Sequence, residues 1–329
     1  MTTTLREQIT AAAEQVLSGD LLERSQAAAL AGCRGADLVD LLASANRIRD
    51  HFRGSSVDIC SIVNAKSGAC SEDCRYCAQS SHYGTNGPVY PLIDVGKIAE
   101  SAAAAKENGA RRFCIVTSGR GIDDDGDLRA IARGIEQVRA LGLSSCATLG
   151  ALERDQLRFL QEAGLNRYHH NIETSREYFP EVCSTHTFDE RLELLEFARS
   201  LGLSTCSGGI LGMGESMQDR ISMAFTLRGL EVDSVPVNFL MPIPGTPLGA
   251  MPPIPPLEGL HAIALFRFLL PDKEIRICGG RGSALGRLHP LIFQAGADGF
   301  MIGNYLTRTG LAPDDDLRML RDLGLEPKS

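Results

Sequence analysis

Short apolar runs alternate with longer amphipathic stretches along most of this chain. The runs are VDICSIV, RRFCIVTS, SSCATLG, RYHHNIE, STCSGGILG, SVPVNFL, EIRICGG and FMIG, and the stretches between them have apolar residues at helical spacing. Alternation at this spacing is typical of βαβ units with parallel strands, and about eight such units close a barrel. We therefore predict an α/β fold, a (β/α)8 TIM-type barrel of parallel strands.

The segment before the first run has a helical pattern of its own. The sequences LREQITAAAEQVL and ADLVDLLASANRIRDHF both repeat their apolar residues for one buried face. We predict an N-terminal helical extension over residues 1–53, followed by a barrel domain with a C-terminal segment over residues 54–329. The proline-rich stretch MPIPGTPLGAMPPIPP is expected to be a rigid loop after a strand, not a linker between domains.

Composition narrows the class of partner. The chain has 329 residues, 43% of them hydrophobic and 22% charged, which is typical of a globular protein with one large core. A net charge of -8 offers no basic surface for nucleic acid or an anionic membrane, so we expect a small-molecule substrate. No apolar run approaches the roughly 18 residues of a membrane span. The amino terminus lacks a secretion-signal pattern, and we expect a cytoplasmic location.

Ten cysteines are many for such a chain, and in a reducing compartment they are expected to be ligands or catalysts. Cys70, Cys74 and Cys77 form a C-x3-C-x2-C group in one glycine-started loop. Three thiolates can hold three irons of a cubane cluster and leave the fourth iron open, where S-adenosylmethionine could bind. The alternatives are a zinc site, which usually pairs two C-x2-C units, and a ferredoxin-type carrier, which normally supplies a fourth cysteine nearby.

A second group of thiols lies on the predicted strands. Its members are Cys60, Cys114, Cys146, Cys206 and Cys278. Alternate strand residues point into a closed barrel, so thiols from separate strands can converge on a second metal site. Arg276 is two residues before Cys278 and shares its face. Each thiol alone could equally be a small buried hydrophobe. We interpret Cys33 as structural and leave the role of Cys183 open.

Together these residues resemble one particular family, the biotin synthases, from about residue 57 to residue 325. The resemblance lies in SGACSEDCRYCAQS, RFCIVTSG, CATLG, YHHNIETS, CSGGILGMGE, SVPVNFL, PGTPL and EIRICGGR. It implies a radical S-adenosylmethionine enzyme that inserts sulfur into dethiobiotin. It also implies a [4Fe-4S] cluster, an auxiliary [2Fe-2S] cluster, a flavodoxin-type or ferredoxin-type electron donor, and a homodimer.

The resemblance also assigns residues. The auxiliary-cluster ligands would be Cys114, Cys146, Cys206 and Arg276. The S-adenosylmethionine contacts would be Tyr76, Asn171, Glu173, Arg191 and the backbone around Val237. A carboxylate suits ribose hydroxyls, and an arginine suits the methionine carboxylate. Asn171 and Asn238 would contact dethiobiotin, because their amides offer both a donor and an acceptor to a cyclic urea. Gly208 and Gly209 would permit close backbone approach to the cofactor or form a turn.

Two features depart from the commonest pattern of the family. His169 stands where asparagine is usual, and Glu173 stands where aspartate is usual. Cys60 and Cys278 are extra thiols near the auxiliary site, so a larger auxiliary iron-sulfur cluster is the alternative to the two-iron form.

The resemblance implies that a 5′-deoxyadenosyl radical takes hydrogen from dethiobiotin and that the carbon radical attacks a sulfide of the auxiliary cluster. Protein groups would supply position and not the radical chemistry, so no side chain is predicted to be catalytic in itself. Two alternatives remain: a related radical enzyme that rearranges an amino acid or matures a metallocluster, and a non-catalytic electron carrier. The lumen could be closed by the helical extension or by the C-terminal segment.

Overall fold

The computed structural model describes residues 4–328. Residues 1–3 of the predicted N-terminal extension and residue 329 of the predicted barrel domain lie outside this range. Ten strands form one parallel sheet. They are β1 (Ser56–Lys66), β2 (Arg112–Thr117), β3 (Ser144–Thr148), β4 (Arg167–His169), β5 (Ser204–Cys206), β6 (Gly209–Leu211), β7 (Ser234–Phe239), β8 (Glu274–Ile277), β9 (Gly299–Met301) and β10 (Glu326–Pro327).

The sheet closes into the predicted eight-membered barrel. Its order is β1-β2-β3-β4-β5-β7-β8-β9, and β9 pairs with β1 through the register Cys60↔Met301. β6 continues the chain of β5 after a two-residue break and pairs with β7. β10 pairs with the start of β1, outside the ring. The predicted fold class is confirmed.

Helices surround the barrel and lie close to their predicted positions. They are α1 (Leu5–Leu17), α2 (Arg24–Leu30), α3 (Gly35–Arg53), α4 (Val95–Glu107), α5 (Asp125–Ala140), α6 (Arg154–Glu162), α7 (Phe188–Ser200), α8 (Met217–Gly229), α9 (Pro256–Leu269), α10 (Arg281–Leu285) and α11 (Pro313–Asp322). Side-chain caps fix several helix starts, such as Thr187, which accepts from the N–H of Glu190 at the start of α7. No helix among residues 4–328 is long and apolar enough to cross a bilayer.

The stretch LHPLIFQAG differs from a regular barrel helix. The five-residue α10 is followed by a 3-10 segment, Gly286–Ile292, with Pro290 inside it. Gly286, with a φ of 51°, ends α10, and Pro290, which cannot donate a backbone hydrogen bond, is compatible with the 3-10 segment but not with a longer α-helix. The proline-rich stretch after β7 is irregular up to the start of α9, as predicted.

The three N-terminal helices pack on the outside of the barrel. α3 lies against α9, and α2 contacts α8 and α9. Every residue of α9 from Gly259 to Leu269 is buried, because barrel strands cover one side and the N-terminal helices cover the other. The N-terminal helices therefore extend the core and do not close the lumen.

A buried arginine joins α9 to the β9 end of the barrel. The Arg267 side chain has no solvent exposure, and its Nη2 donates to Asp298 Oδ1 at 2.6 Å. Its remaining N–H groups donate to backbone carbonyls, including Gly296 O at 2.7 Å and Pro271 O at 2.8 Å. These carbonyls lie in turns and lack the donors that a strand or helix would give them, so the Arg267 guanidinium supplies those hydrogen-bond donors.

We expect Arg267→Met to lower the free energy of unfolding by about 3 kcal/mol, because it removes one of the two arginine partners of the buried Asp298, leaving only Arg53, and also leaves carbonyls unsatisfied. Urea denaturation of the cluster-free protein at neutral pH measures this. Arg158→Met is the control, since Arg158 forms an exposed 3.5 Å pair with Asp155 and should cost less than about 1 kcal/mol. Equal losses in the two variants would contradict the expectation.

Candidate functional site

One cavity of about 420 Å³ occupies the lumen and the loops at its mouth. Its lining contains both predicted cysteine groups. Cys70, Cys74 and Cys77 come from the loop after β1. Cys60, Cys114, Cys146 and Cys206 come from strands, and Cys278 directly follows β8. All ten cysteines are free thiols. The C-terminal segment also contributes to the lining through residues 305–308, whereas no residue of 4–53 does. Of the two predicted ways to close the lumen, the structure therefore has the C-terminal one.

The triplet loop is held by its own backbone. Cys70 N–H donates to Gln79 O at 3.0 Å, and Cys77 N–H donates to Cys74 O at 2.9 Å. Ala69 adopts a φ of 51°, a left-handed conformation that non-glycine residues rarely adopt, and this turns the chain into the loop. Burial raises the pKa of the Cys77 thiol to about 11, so its deprotonation requires a metal or another cation nearby.

A polar group on the far side of the loop links the triplet to α7. Glu72, Cys183 and His186 bring their ligand atoms within 4.8 Å of one another. Cys183 Sγ lies 3.8 Å from Cys74 Sγ, and His186 Nδ1 bonds to Glu72. His186 Nε2 accepts from Arg191 Nε at 2.8 Å. Because these atoms already have protein partners, we interpret the group as a link that orients Arg191.

Four of the predicted S-adenosylmethionine residues form one hydrogen-bonded cluster. Tyr76 Oη donates to Glu173 Oε1 at 2.9 Å, and Asn171 Nδ2 donates to Glu173 Oε2 at 3.3 Å. Arg191 Nη1 lies 3.7 Å from Glu173 Oε1 and also donates to Asn171 O. Burial of Glu173 raises its pKa, while Arg191 opposes this shift. The cluster presents a carboxylate, a cation and an amide to the cavity.

Glu173 has an unusual backbone, with a φ of 69°. Its N–H donates to Gly208 O at 3.0 Å, and its carbonyl accepts from Ile210 N–H at 2.9 Å. These two bonds hold the residue against the break between β5 and β6. A non-glycine residue with this backbone conformation destabilises the folded protein by about 1–2 kcal/mol, and such backbone strain is concentrated at functional sites.

The strand thiols form two neighbouring pairs. Cys114 and Cys146 are directly opposite each other on β2 and β3. Cys60 lies on β1 and packs with Cys278, and the neighbouring Cys278 thiol, together with Arg276, lowers the pKa of Cys60 to about 6. The Cys278 thiol itself donates to Arg276 O at 3.8 Å. Cys278 lies one residue beyond the end of β8, not inside the strand as predicted. Burial raises the pKa of the fifth thiol, Cys206, to about 12.

Arginines and carboxylates form the charged floor beneath these thiols. Arg276 Nη2 donates to Asp58 Oδ1 at 2.6 Å and to Glu274 Oε2 at 3.1 Å. Arg167 Nη1 donates to the same Glu274 oxygen at 2.6 Å, and Arg112 lies in the same lining. Arg276 Nε and Arg112 Nε are buried without a hydrogen-bond partner. Buried donors without a partner, beside thiols that form no disulfide, fit an anionic group such as an iron-sulfur cluster.

The remaining predicted residues lie on β6, on β7 and, for Gly208, in the break before β6. Asn238 accepts from Gly279 N–H at 2.9 Å and donates to Gly209 O at 3.3 Å, and it lines the cavity. Val237 packs into the core and does not line the cavity, whereas its neighbours Pro236 and Asn238 do. A Cβ at Gly208 would lie 2.0 Å from Pro236 O, and one at Gly209 would lie 2.1 Å from Glu173 O. These glycines therefore allow protein strands to approach each other.

Several lining residues were missed by the sequence analysis. Arg112 shares a face of β2 with Cys114, and Arg167 shares a face of β4 with His169, so the period-two pattern that selected Cys114 could have selected both arginines. Thr148 is two residues after Cys146 on β3, so the same pattern could have selected it as well. His186 had no such signal, because its contact with Glu72 joins residues more than a hundred positions apart.

Comparisons with known proteins identify the family to which the chain is related. Residues 65–227 match the Radical SAM superfamily, and residues 236–326 match the Biotin and Thiamin Synthesis associated domain. A biotin synthase of Heliobacterium modesticaldum is 50% identical over 94% of this chain and 95% of its own length. One of Geobacter sulfurreducens is 47% identical over 95% of each chain.

Solved structures share the fold at low sequence identity. A methylornithine synthase has a TM-score of 0.84 at 20% identity, with 97% of each chain covered. The FeFe-hydrogenase maturase HydG from Carboxydothermus hydrogenoformans has a TM-score of 0.81 at 17% identity, covering 98% of this chain and 80% of its own. With the family matches and the near full-length identity, the chain belongs to the biotin synthase family of radical S-adenosylmethionine enzymes.

Proposed function

We propose that this protein inserts sulfur into dethiobiotin to form biotin, in a radical reaction that depends on S-adenosylmethionine. The observation that carries the proposal is that both cysteine groups line the same cavity, together with Asn171 and Asn238. A rearranging enzyme or a maturase would share the triplet and the barrel, but it would not need three strand thiols and Arg276 in the lumen.

Cys70, Cys74 and Cys77 are the proposed ligands of a [4Fe-4S] cluster with one iron left for S-adenosylmethionine. When bound, these groups supply a reductively generated 5′-deoxyadenosyl radical, and an auxiliary cluster supplies the sulfur. The lumen contributes exclusion of water and fixed positions for the reacting atoms.

The protein's own side chains orient the cofactor. In the proposed arrangement, Glu173 accepts from the ribose hydroxyls and Arg191 binds the methionine carboxylate. Tyr76 fixes one oxygen of Glu173, and the backbone around Val237 completes the contact. The link from Glu72 through His186 holds Arg191, which supports its assignment as an anion-binding group.

Cys114, Cys146, Cys206 and Arg276 are the proposed ligands of the auxiliary cluster, with a [2Fe-2S] form as the first choice. Arg276 pairs with Asp58 and Glu274 beneath the thiols. Because it also lines the cavity beside the thiols, its positive charge would also offset the negative charge of the thiolates. Cys60 and Cys278 are close enough to this floor to support the alternative of a larger cluster.

Other parts of the proposal rest on family membership. We infer a flavodoxin-type or ferredoxin-type electron donor, a cytoplasmic location and a homodimer, with no nucleic-acid or membrane partner. The net charge of -8 and the small internal cavity support a small-molecule substrate. We also propose the division into an N-terminal helical extension, residues 1–53, and a barrel domain with a C-terminal segment, residues 54–329.

The first test incubates anaerobically reconstituted protein with S-adenosylmethionine, a reductant and dethiobiotin, and measures products by mass spectrometry. We expect both 5′-deoxyadenosine and biotin. Deoxyadenosine without biotin would support another radical enzyme, and neither product from fully loaded protein would favour the electron-carrier alternative.

Cys74→Ala and Cys206→Ala should separate the two halves of the reaction. We expect Cys74→Ala to lose both products, because the iron that binds the cofactor can no longer be held. Cys206→Ala should still form deoxyadenosine but lose biotin, since only the sulfur source is disturbed. Product ratios by mass spectrometry measure this. Cys33→Ala, a change at a buried thiol outside the cavity, is the control and should keep both products.

Iron content tests the nuclearity of the auxiliary cluster. With a two-iron form, we expect about six irons per chain in the reconstituted protein, and about six in Cys60→Ser/Cys278→Ser as well. Metal analysis with Mössbauer spectroscopy measures both. A wild-type value near eight that falls in the double variant would replace the two-iron form with the larger cluster.

A further inference from the structure

His169 stands in the middle of a row of polar contacts that crosses the lumen. Cys114 Sγ lies 3.4 Å from Thr148 Oγ1, and Thr148 Oγ1 lies 2.7 Å from His169 Nδ1. On its other side, His169 Nε2 lies 2.9 Å from Asn171 Oδ1. The row therefore joins a strand thiol to the amide that we assign to the substrate.

The direction of each bond in this row follows from fixed groups around Asn171. The backbone N–H of Gly208 donates to Asn171 Oδ1 at 3.1 Å, so that atom is the amide oxygen. Asn171 Nδ2 donates to Glu173 Oε2 at 3.3 Å. An oxygen facing His169 requires that Nε2 carry a proton and donate it.

The other nitrogen of His169 must then accept. Burial lowers the pKa of His169 to about 4, so the ring is neutral at pH 7 and Nδ1 has a free lone pair. The hydroxyl of Thr148 donates to it. A neutral ring in this tautomer can only donate to Asn171. An asparagine at position 169 could present either its amide oxygen or its amide nitrogen to Asn171.

We propose that His169 is a positioning residue that selects the substrate: it fixes the Asn171 amide so that its NH2 edge, and not its oxygen, faces the ligand. One N–H of that edge is used on Glu173, and the second is left for a carbonyl acceptor such as the oxygen of a cyclic urea. The inference rests on the proposed function, because it assumes that Asn171 contacts the substrate.

If His169 were absent, the Asn171 amide would be held in this orientation only by its contacts with Gly208 and Glu173. Without His169, Asn171 Oδ1 keeps a single donor, Gly208 N–H. The side-chain amide of Asn171 can then rotate by 180°, exchanging its oxygen and nitrogen, and it breaks one hydrogen bond fewer than in the wild type. A reversed amide would present oxygen to the ligand, which favours a donor over a carbonyl. A site that pairs a polar group with its ligand discriminates strongly against an analogue that leaves the group unpaired.

The experiment compares two ligands of reconstituted protein with S-adenosylmethionine and without reductant. One is dethiobiotin, and the other is its cyclic guanidine analogue, in which N–H replaces the carbonyl oxygen. We expect the wild type to prefer dethiobiotin, and His169→Leu to reduce that preference about tenfold. His169→Gln offers both a donor and an acceptor at similar reach and should restore most of the preference. Equilibrium binding by calorimetry gives the ratio without turnover.

Controls separate positioning from general damage. His289→Leu removes a half-buried histidine outside the cavity and should leave the ratio at the wild-type value. An unchanged ratio in His169→Leu, or equal weakening of both ligands, would overturn the inference while the proposed function stands. If the wild type forms no biotin and binds neither ligand, the proposed function fails, and this inference fails with it.

Discussion

The alternation of side chains in a closed parallel barrel is the constraint on which this site depends. Hydrogen bonds between β9 and β1 close the ring, so residues of one parity on every strand face a common interior. Cys114 faces the lumen while its neighbours Phe113 and Ile115 pack outward against helices. The same alternation on β8 directs Arg276 inward. A ligand set from separate strands is therefore assembled by the backbone itself.

The charged side chains buried in this lumen would destabilise the folded protein if they were not paired with one another. Arg167 and Arg276, from two strands, share Asp58 and Glu274 between them, and the Nε groups of Arg112 and Arg276 remain without a partner. Burying charges is tolerated when each is paired and hydrogen-bonded. Glu274 illustrates this, because Arg167 and Arg276 hold its pKa well below the usual range despite burial. The floor is thus an ionic network whose spare donors favour an anionic occupant.

Much of this could be predicted from the sequence, for identifiable reasons. Apolar periodicity located the eight barrel strands and most helices, because each must bury one face. Cysteine spacing identified the triplet, since its three members come from one loop. The partners of Arg191 could not be predicted in the same way. His186 is close in sequence, but Glu72 joins it from over a hundred residues away, and no local pattern encodes that contact.

The left-handed backbone of Glu173 has a consequence for molecular recognition. Its strain is present in the folded protein before any ligand arrives, because Gly208 and Ile210 hold the residue through backbone bonds. The carboxylate is therefore preorganised, and association need not spend conformational entropy on ordering it. Flexible carboxylates on surface loops lack this advantage. In its proposed role as acceptor for the ribose hydroxyls, a carboxylate held this rigidly tolerates little variation in the hydroxyl pattern of the sugar.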